Sequence, residues 1–79
     1  MSINRNYLKE FVKELHNKNA SHILGKDENS NTTYKLSELA EALKDLNTGE
    51  VKEIVVAGYD EYNELFYLTD WITFEDIKI

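Results

Sequence analysis

The stretch from Glu53 to Phe74, EIVVAGYDEYNELFYLTDWITF, carries the chain's densest run of β-branched and aromatic side chains, broken once at Asp60-Glu61-Tyr62-Asn63. Val, Ile, Phe, Tyr and Trp suit a pleated, half-buried surface, and a short polar break between two such runs signals a hairpin. The stretch predicts three successive antiparallel strands, at about 50–59, 64–70 and 71–77. Alternation assigns Ile54, Val56, Phe66, Leu68, Ile72 and Phe74 to one face. Val55, Ala57, Tyr59, Leu65, Tyr67 and Trp71 fall on the other.

The residues upstream supply the packing for this sheet. Ile3, Tyr7, Leu8, Phe11, Val12 and Leu15 trace one helical face over residues 3–18, with Lys9, Glu10, Lys13 and Glu14 opposite. Ser2 or Asn4 would cap this helix and Asn17-Lys18-Asn19 would fray from its end. Ala20–Leu24 fits either one more helical turn or a short strand, closed by Gly25. Lys26–Thr33 is a polar, turn-forming loop. Ser37 is an N-cap candidate with Glu38 in the first helical position, where a carboxylate favours the helix dipole. The second helix then buries Leu39, Ala40, Leu43 and Leu46 and stops at Asn47-Thr48-Gly49, with glycine suited to a left-handed turn. The expected fold is a single α+β domain over residues 1–79, with two N-terminal helices packed on a three- or four-stranded antiparallel β-meander. Two short helices cover only one face of such a sheet. The second, aromatic face is then either covered by the N-terminal helix, an extra strand or a dimer mate, or free to contact a partner.

Charge narrows the partner. Residues 1–47 balance seven basic against seven acidic side chains. From residue 48 onward eight acids face only Lys52 and Lys78, so the whole net charge of −6 lies on the sheet region. Direct nucleic-acid binding depends on neutralising phosphates and is disfavoured; a partner with a basic surface is favoured. The chain has no cysteine, so it has no disulfide framework and no thiolate metal site. No apolar run approaches the ~20 residues that span a bilayer. A cytoplasmic location, in a host cell, is the expectation.

Catalytic chemistry finds little footing. His16 and His22 stand without a patterned nucleophile, and Glu38, Glu41 and Asp45 form an acidic ridge of the kind that usually faces solvent. No enzyme activity, cofactor or metal is expected. Asp27, Asn29, Asn31 and Glu38 do fall at positions 1, 3, 5 and 12 of a calcium-binding EF-hand loop. Thr32, however, replaces the glycine of its sharp turn and Lys35 takes a ligand position, so a polar loop leading to a helix cap is the expectation.

The second helix and the hairpin resemble the phage uracil-DNA glycosylase inhibitors, through Ser37-Glu38-Leu39-Ala40-Glu41-Ala42-Leu43, Ile54–Glu61 and Glu64–Thr69. That family consists of small acidic proteins with two helices and an antiparallel sheet that present a DNA-like surface to their target. The resemblance implies that Glu38 and Glu41 engage the enzyme's DNA-binding face. It also implies an apolar pocket between helix and sheet, formed by Tyr34, Leu39, Ala42, Leu43, Val56, Phe66 and Leu68. Glu28, Asp45, Asp60 and Glu61 add negative charge, and Tyr59, Tyr67 and Trp71 add the aromatic face. Anti-CRISPR and anti-restriction proteins are similar in size, acidity and lack of catalytic residues. The expected function is a non-catalytic phage or mobile-element inhibitor of a bacterial nucleic-acid-processing protein, either a uracil-DNA glycosylase or a CRISPR effector. The alternative is a homodimeric structural or regulatory module.

Overall fold

The computed structural model describes residues 7–77, so Ile3 and the caps expected at Ser2 and Asn4 lie outside the described residues. In chain order the elements are α1 (Tyr7–Leu15), β1 (Ala20–Lys26), β2 (Asn31–Tyr34), a 3-10 turn (Leu36–Glu38), α2 (Leu39–Thr48), β3 (Glu53–Tyr59), β4 (Leu65–Tyr67), β5 (Ile72–Thr73) and α3 (Phe74–Ile77). The class is α+β, as expected, but a β-hairpin separates the two long helices. Five strands form one antiparallel sheet in the order β2-β1-β3-β4, with β5 also paired to β3.

β3 is the strand on which the sheet is built. It pairs with β1 along one edge from Glu53 to Gly58. Its other edge is shared by β4 at Ala57–Tyr59 and by β5 at Glu53–Ile54. Between these two, Leu68 N donates to Val56 O at 2.8 Å and Val56 N donates to the Thr69 hydroxyl at 3.1 Å, so a side chain replaces one ladder carbonyl where the outer strand is interrupted. Gly58 is required because a Cβ there would collide with the Asn19 carbonyl oxygen.

β2 and β3 lie on opposite sides of β1 and are both antiparallel to it, hence parallel to one another. Parallel strands need a crossover, and α2 is that crossover, touching β1, β2 and β3. It ends at Gly49 in the left-handed conformation, φ 89°. All the helices of the described residues lie on one side. Phe11 of α1 and Ala42 and Leu46 of α2 share a core with Ile23, Tyr34, Val51, Ile54, Val56 and Ile72. Leu15, Leu36, Leu39, Leu43, Leu68, Phe74 and Ile77 pack around it. Fully burying a Val, Ile or Phe contributes roughly 1.5–3 kcal/mol, so this layer carries most of the stability.

Several expectations are corrected. Of the two readings of Ala20–Leu24 the strand holds, but it runs on through Gly25 to Lys26. The second half of the polar loop is a strand as well, because β1 offers Asn31–Tyr34 a free edge to pair with. The third strand ends at Thr73, where a reciprocal cap starts α3. Thr73 N donates to the Asp76 carboxylate at 2.8 Å and Asp76 N donates to the Thr73 hydroxyl at 3.3 Å. The cap before α2 is not Ser37. Residues 36–38 tighten into a 3-10 turn and the Glu38 carboxylate accepts from Lys35 N at 2.8 Å. In α2 the inward alanine is Ala42, with Ala40 exposed, and in α1 Val12 is 37% exposed.

Candidate partner-binding surface

Directly paired residues of antiparallel strands point to the same side of a sheet. On the side away from the helices, Val55 therefore joins Leu24, Ala57 joins His22 and Tyr67, Tyr59 joins Leu65, and Glu53 joins Lys26 and Thr73. Val55, Ala57, Tyr59, Leu65, Tyr67 and Trp71 share this face, as alternation predicts.

Among the described residues no helix shares its core with this face, yet Val55 and Ala57 are fully buried. The sheet's own long side chains meet in a partial roof over this face. Trp71 and Tyr67 meet edge to face, ring centroids 5.4 Å apart at 69°. Lys26 Nζ lies 5.5 Å from the centroid of the Trp71 ring. Lys26 belongs to β1 and Trp71 precedes β5, so this cation–π contact arches over β3, a contribution of roughly 0.5–1 kcal/mol at an exposed site. His22 and Tyr59 approach at 5.8 Å and 37° at the other end of the face. Outside this roof, Tyr59, Leu65 and Tyr67 stay 49, 44 and 51% exposed. They adjoin one another by register and make a continuous apolar ledge beside the β3–β4 hairpin.

The hairpin shows why its acids divide into two kinds. Asp60 Oδ1 accepts from Tyr62 N and Glu64 N, both at 2.9 Å, while Asn63 takes a left-handed φ of 63°. A three-residue loop with its last residue left-handed is a favoured hairpin connection, and Asn tolerates that conformation well. Asp60 thus holds the turn, whereas Glu61 and Glu64 are exposed, as is Asp70 beyond β4.

The acidic ridge on α2 divides similarly. Glu38 is committed to the Lys35 amide, and the Asp45 carboxylate accepts the Tyr34 hydroxyl at 2.7 Å. Burial pushes the Tyr34 phenol above the ordinary tyrosine range, and Asp45, Glu41 and Glu50 push it further. Glu41 is exposed on α2, and Glu28 is exposed in the β1–β2 turn, remote in sequence from that helix. The residues of the apolar pocket that the resemblance implies form the core or its margin. Tyr34, Ala42 and Val56 are buried, and Leu39, Leu43, Phe66 and Leu68 are half-buried.

The calcium-loop spacing does not survive folding. Asp27 N donates to Ser30 O at 2.9 Å, closing a turn, and Asn31 pairs with Lys26 as the first residue of β2. An extended strand therefore separates Asp27 and Asn29 from Glu38. Among the described residues no group of three or more His, Cys, Asp or Glu is placed to hold a metal ion. Nor is any described helix long and apolar enough to cross a membrane.

His22, Leu24 and Lys26 belong to the helix-free face but were not expected there. Their alternation with Ile23 and Gly25 is the available signal; Gly25, read as a breaker, conceals it. In fact Gly25 is where Tyr34 and Val51 pack against the β1 backbone, and a Cβ would lie 2.9 Å from each of them. Comparison with protein-family models, with curated proteins and with solved structures finds no match to this chain.

Proposed function

We propose that this chain is a non-catalytic inhibitor that docks the helix-free face of its sheet on the nucleic-acid-binding surface of a bacterial DNA-processing or defence enzyme. A uracil-DNA glycosylase is the most specific target, and a CRISPR effector or restriction enzyme the next. The observation that carries this proposal is the half-exposed ledge of Tyr59, Leu65 and Tyr67 beside Trp71, in the part of the chain that holds the negative excess. Aromatic residues are enriched in the buried centres of interfaces, and a complementary charge field steers the encounter. Glu61, Glu64 and Asp70 would stand in for phosphates around an apolar anchor. Glu41 lies on α2, on the helix side of the sheet and away from this contact, while Glu38 and Asp45 serve the chain's own fold. The host cytoplasm is where such a partner would be met.

Inhibition assays with a purified bacterial uracil-DNA glycosylase and with a Cas effector test this directly. Inhibition that weakens steeply with salt and is lost in the Tyr67→Ala, Trp71→Ala double variant supports it. Absence of inhibition in both, or a complex indifferent to salt, overturns it. A homodimeric module is favoured by one observation, the pairing of Lys26 with Glu53 on this face, which gives it both signs of charge. Sedimentation showing a tight dimer that hides Tyr59, Tyr67 and Trp71 would replace inhibition with that alternative.

A further inference from the structure

The sheet ends at β4, and the backbone of that strand is not fully used. Asp60 N donates to Glu64 O at 2.9 Å and Leu68 N to Val56 O at 2.8 Å, with Phe66 paired to Gly58 between them. In an antiparallel ladder, hydrogen-bonded pairs alternate with pairs whose N–H and C=O point away from the partner strand. Leu65 and Tyr67, opposite Tyr59 and Ala57, are the outward pairs. Their peptide groups therefore face out of the sheet, and among the described residues no strand takes them up. Proteins usually blunt such an edge by keeping it short or with lysine, proline or a bulge, and β4, at three residues, uses only the first of these. Within β4 there is no lysine or proline, and its two outward residues carry exposed apolar side chains.

The groove beside this edge is acidic. Glu10 and Glu14 of α1 face Tyr67, Leu68, Thr69, Asp70 and Ile72 across it, and among the described residues no cationic side chain lines it. Glu14 also accepts from the Asn17 side chain at 2.9 Å, which holds its carboxylate in place. Glu64 and Asp70 bracket the strand at its two ends. The opposite edge of the sheet differs: β2 exposes Asn31, Thr32 and Thr33 and is followed by Lys35.

We infer that β4 accepts an added strand from a partner: an extended, lysine- or arginine-rich segment that pairs with the backbone of Leu65 and Tyr67 and sets its cations against Glu10, Glu14 and Asp70. Main-chain bonds supply the affinity in such strand addition and alternate side chains the selectivity. This deepens the proposal above and rests on it for the sign of the partner's charge.

The test uses the full 15N-labelled chain and synthetic heptapeptides alternating valine with lysine or with glutamate. A third peptide is the lysine version N-methylated along its pairing edge. The lysine peptide is expected to slow hydrogen exchange at the Leu65 and Tyr67 amides by about tenfold or more at saturation, while the N-methylated peptide fails to bind. Tyr67→Pro removes an outward N–H together with the ring that meets Trp71 and is expected to abolish binding. Tyr67→Ala, which loses the ring and keeps the N–H, is expected to retain protection of the Leu65 and residue-67 amides. Should the proline variant lose its fold, the exposed pair Glu10→Lys, Asp70→Lys is expected to weaken binding by about tenfold. An N-methylated peptide that binds equally well, perturbations confined to Tyr59 and Trp71, or no binding by either unmethylated peptide overturns strand addition and leaves the inhibitor proposal to its own assay. A glutamate peptide that protects Leu65 and Tyr67 as well as the lysine one overturns the basic partner and keeps the pairing.

Discussion

Val55 and Val56 are neighbours in β3, both fully hidden from solvent, and they are hidden by different means. Val56 lies under the helices in a core with Phe11, Ile23, Ala42 and Leu46. Val55 lies under a roof of sheet side chains that includes Leu24 opposite and the Lys26–Trp71 contact. One face is closed by packed helices; the other carries long side chains that meet one another across the sheet. Equal burial therefore conceals unequal packing, and truncation on the second face is expected to cost less. The helix-covered face holds the fold.

The largest expected effect falls on the covered face. Ile54→Ala should destabilise by about 2–5 kcal/mol in urea unfolding, since the surrounding helices and strands cannot collapse into the gap. A loss below about 1 kcal/mol would mean that this face is not the principal core. Val56→Ala and Val55→Ala sharpen the contrast because they remove the same atoms from opposite sides. Val56→Ala should cost about 2 kcal/mol, transfer plus cavity, and Val55→Ala about 1 kcal/mol, because the Leu24 and Trp71 side chains can settle inward. Equal losses would break the distinction.

Tyr34→Phe comes next, at about 1–2 kcal/mol, because it leaves Asp45 without its donor. It also carries a pH signature. The folded chain holds the Tyr34 proton more tightly than the unfolded chain does, so this contribution is complete below the ordinary tyrosine range and is lost as pH rises above about 10. Unfolding midpoints measured from pH 8 upward should fall less steeply for Tyr34→Phe than for the parent chain; identical slopes would remove Tyr34 from the account. The smallest effect belongs to the free face. Tyr67→Ala should cost only about 0.5–1.5 kcal/mol, the worth of its edge contact with Trp71. A loss as large as that of Ile54→Ala would show that the face is structural.

What could be read in the chain beforehand was local. The hairpin at Asp60–Asn63, the two-sided character of β3 and the glycine stop of α2 each follow from residue type and spacing within a few positions. α3 was legible in principle, since Thr73-Phe74-Glu75-Asp76 is a capping-box pattern, but Ile72, Phe74 and Ile77 in the same segment also suit a strand. β2 was not legible. Asn31-Thr32-Thr33 has no apolar alternation and becomes a strand only because the edge of β1 supplies hydrogen-bond partners. The candidate surface shows the same division. Tyr59, Tyr67 and Trp71 could be placed on one face by counting in twos, whereas Lys26 joins them through a contact across β3 with a residue forty-five positions away.

The sequence by itself determined the character of β3, the parity of its two faces and the concentration of negative charge beside it, because alternation and composition are properties of the chain. Only the tertiary structure decided which face the helices take, where the sheet stops and which acids stay free. Those outcomes depend on strand pairings and helix crossings between distant residues, and intrinsic propensity in a short strand is too weak to encode them.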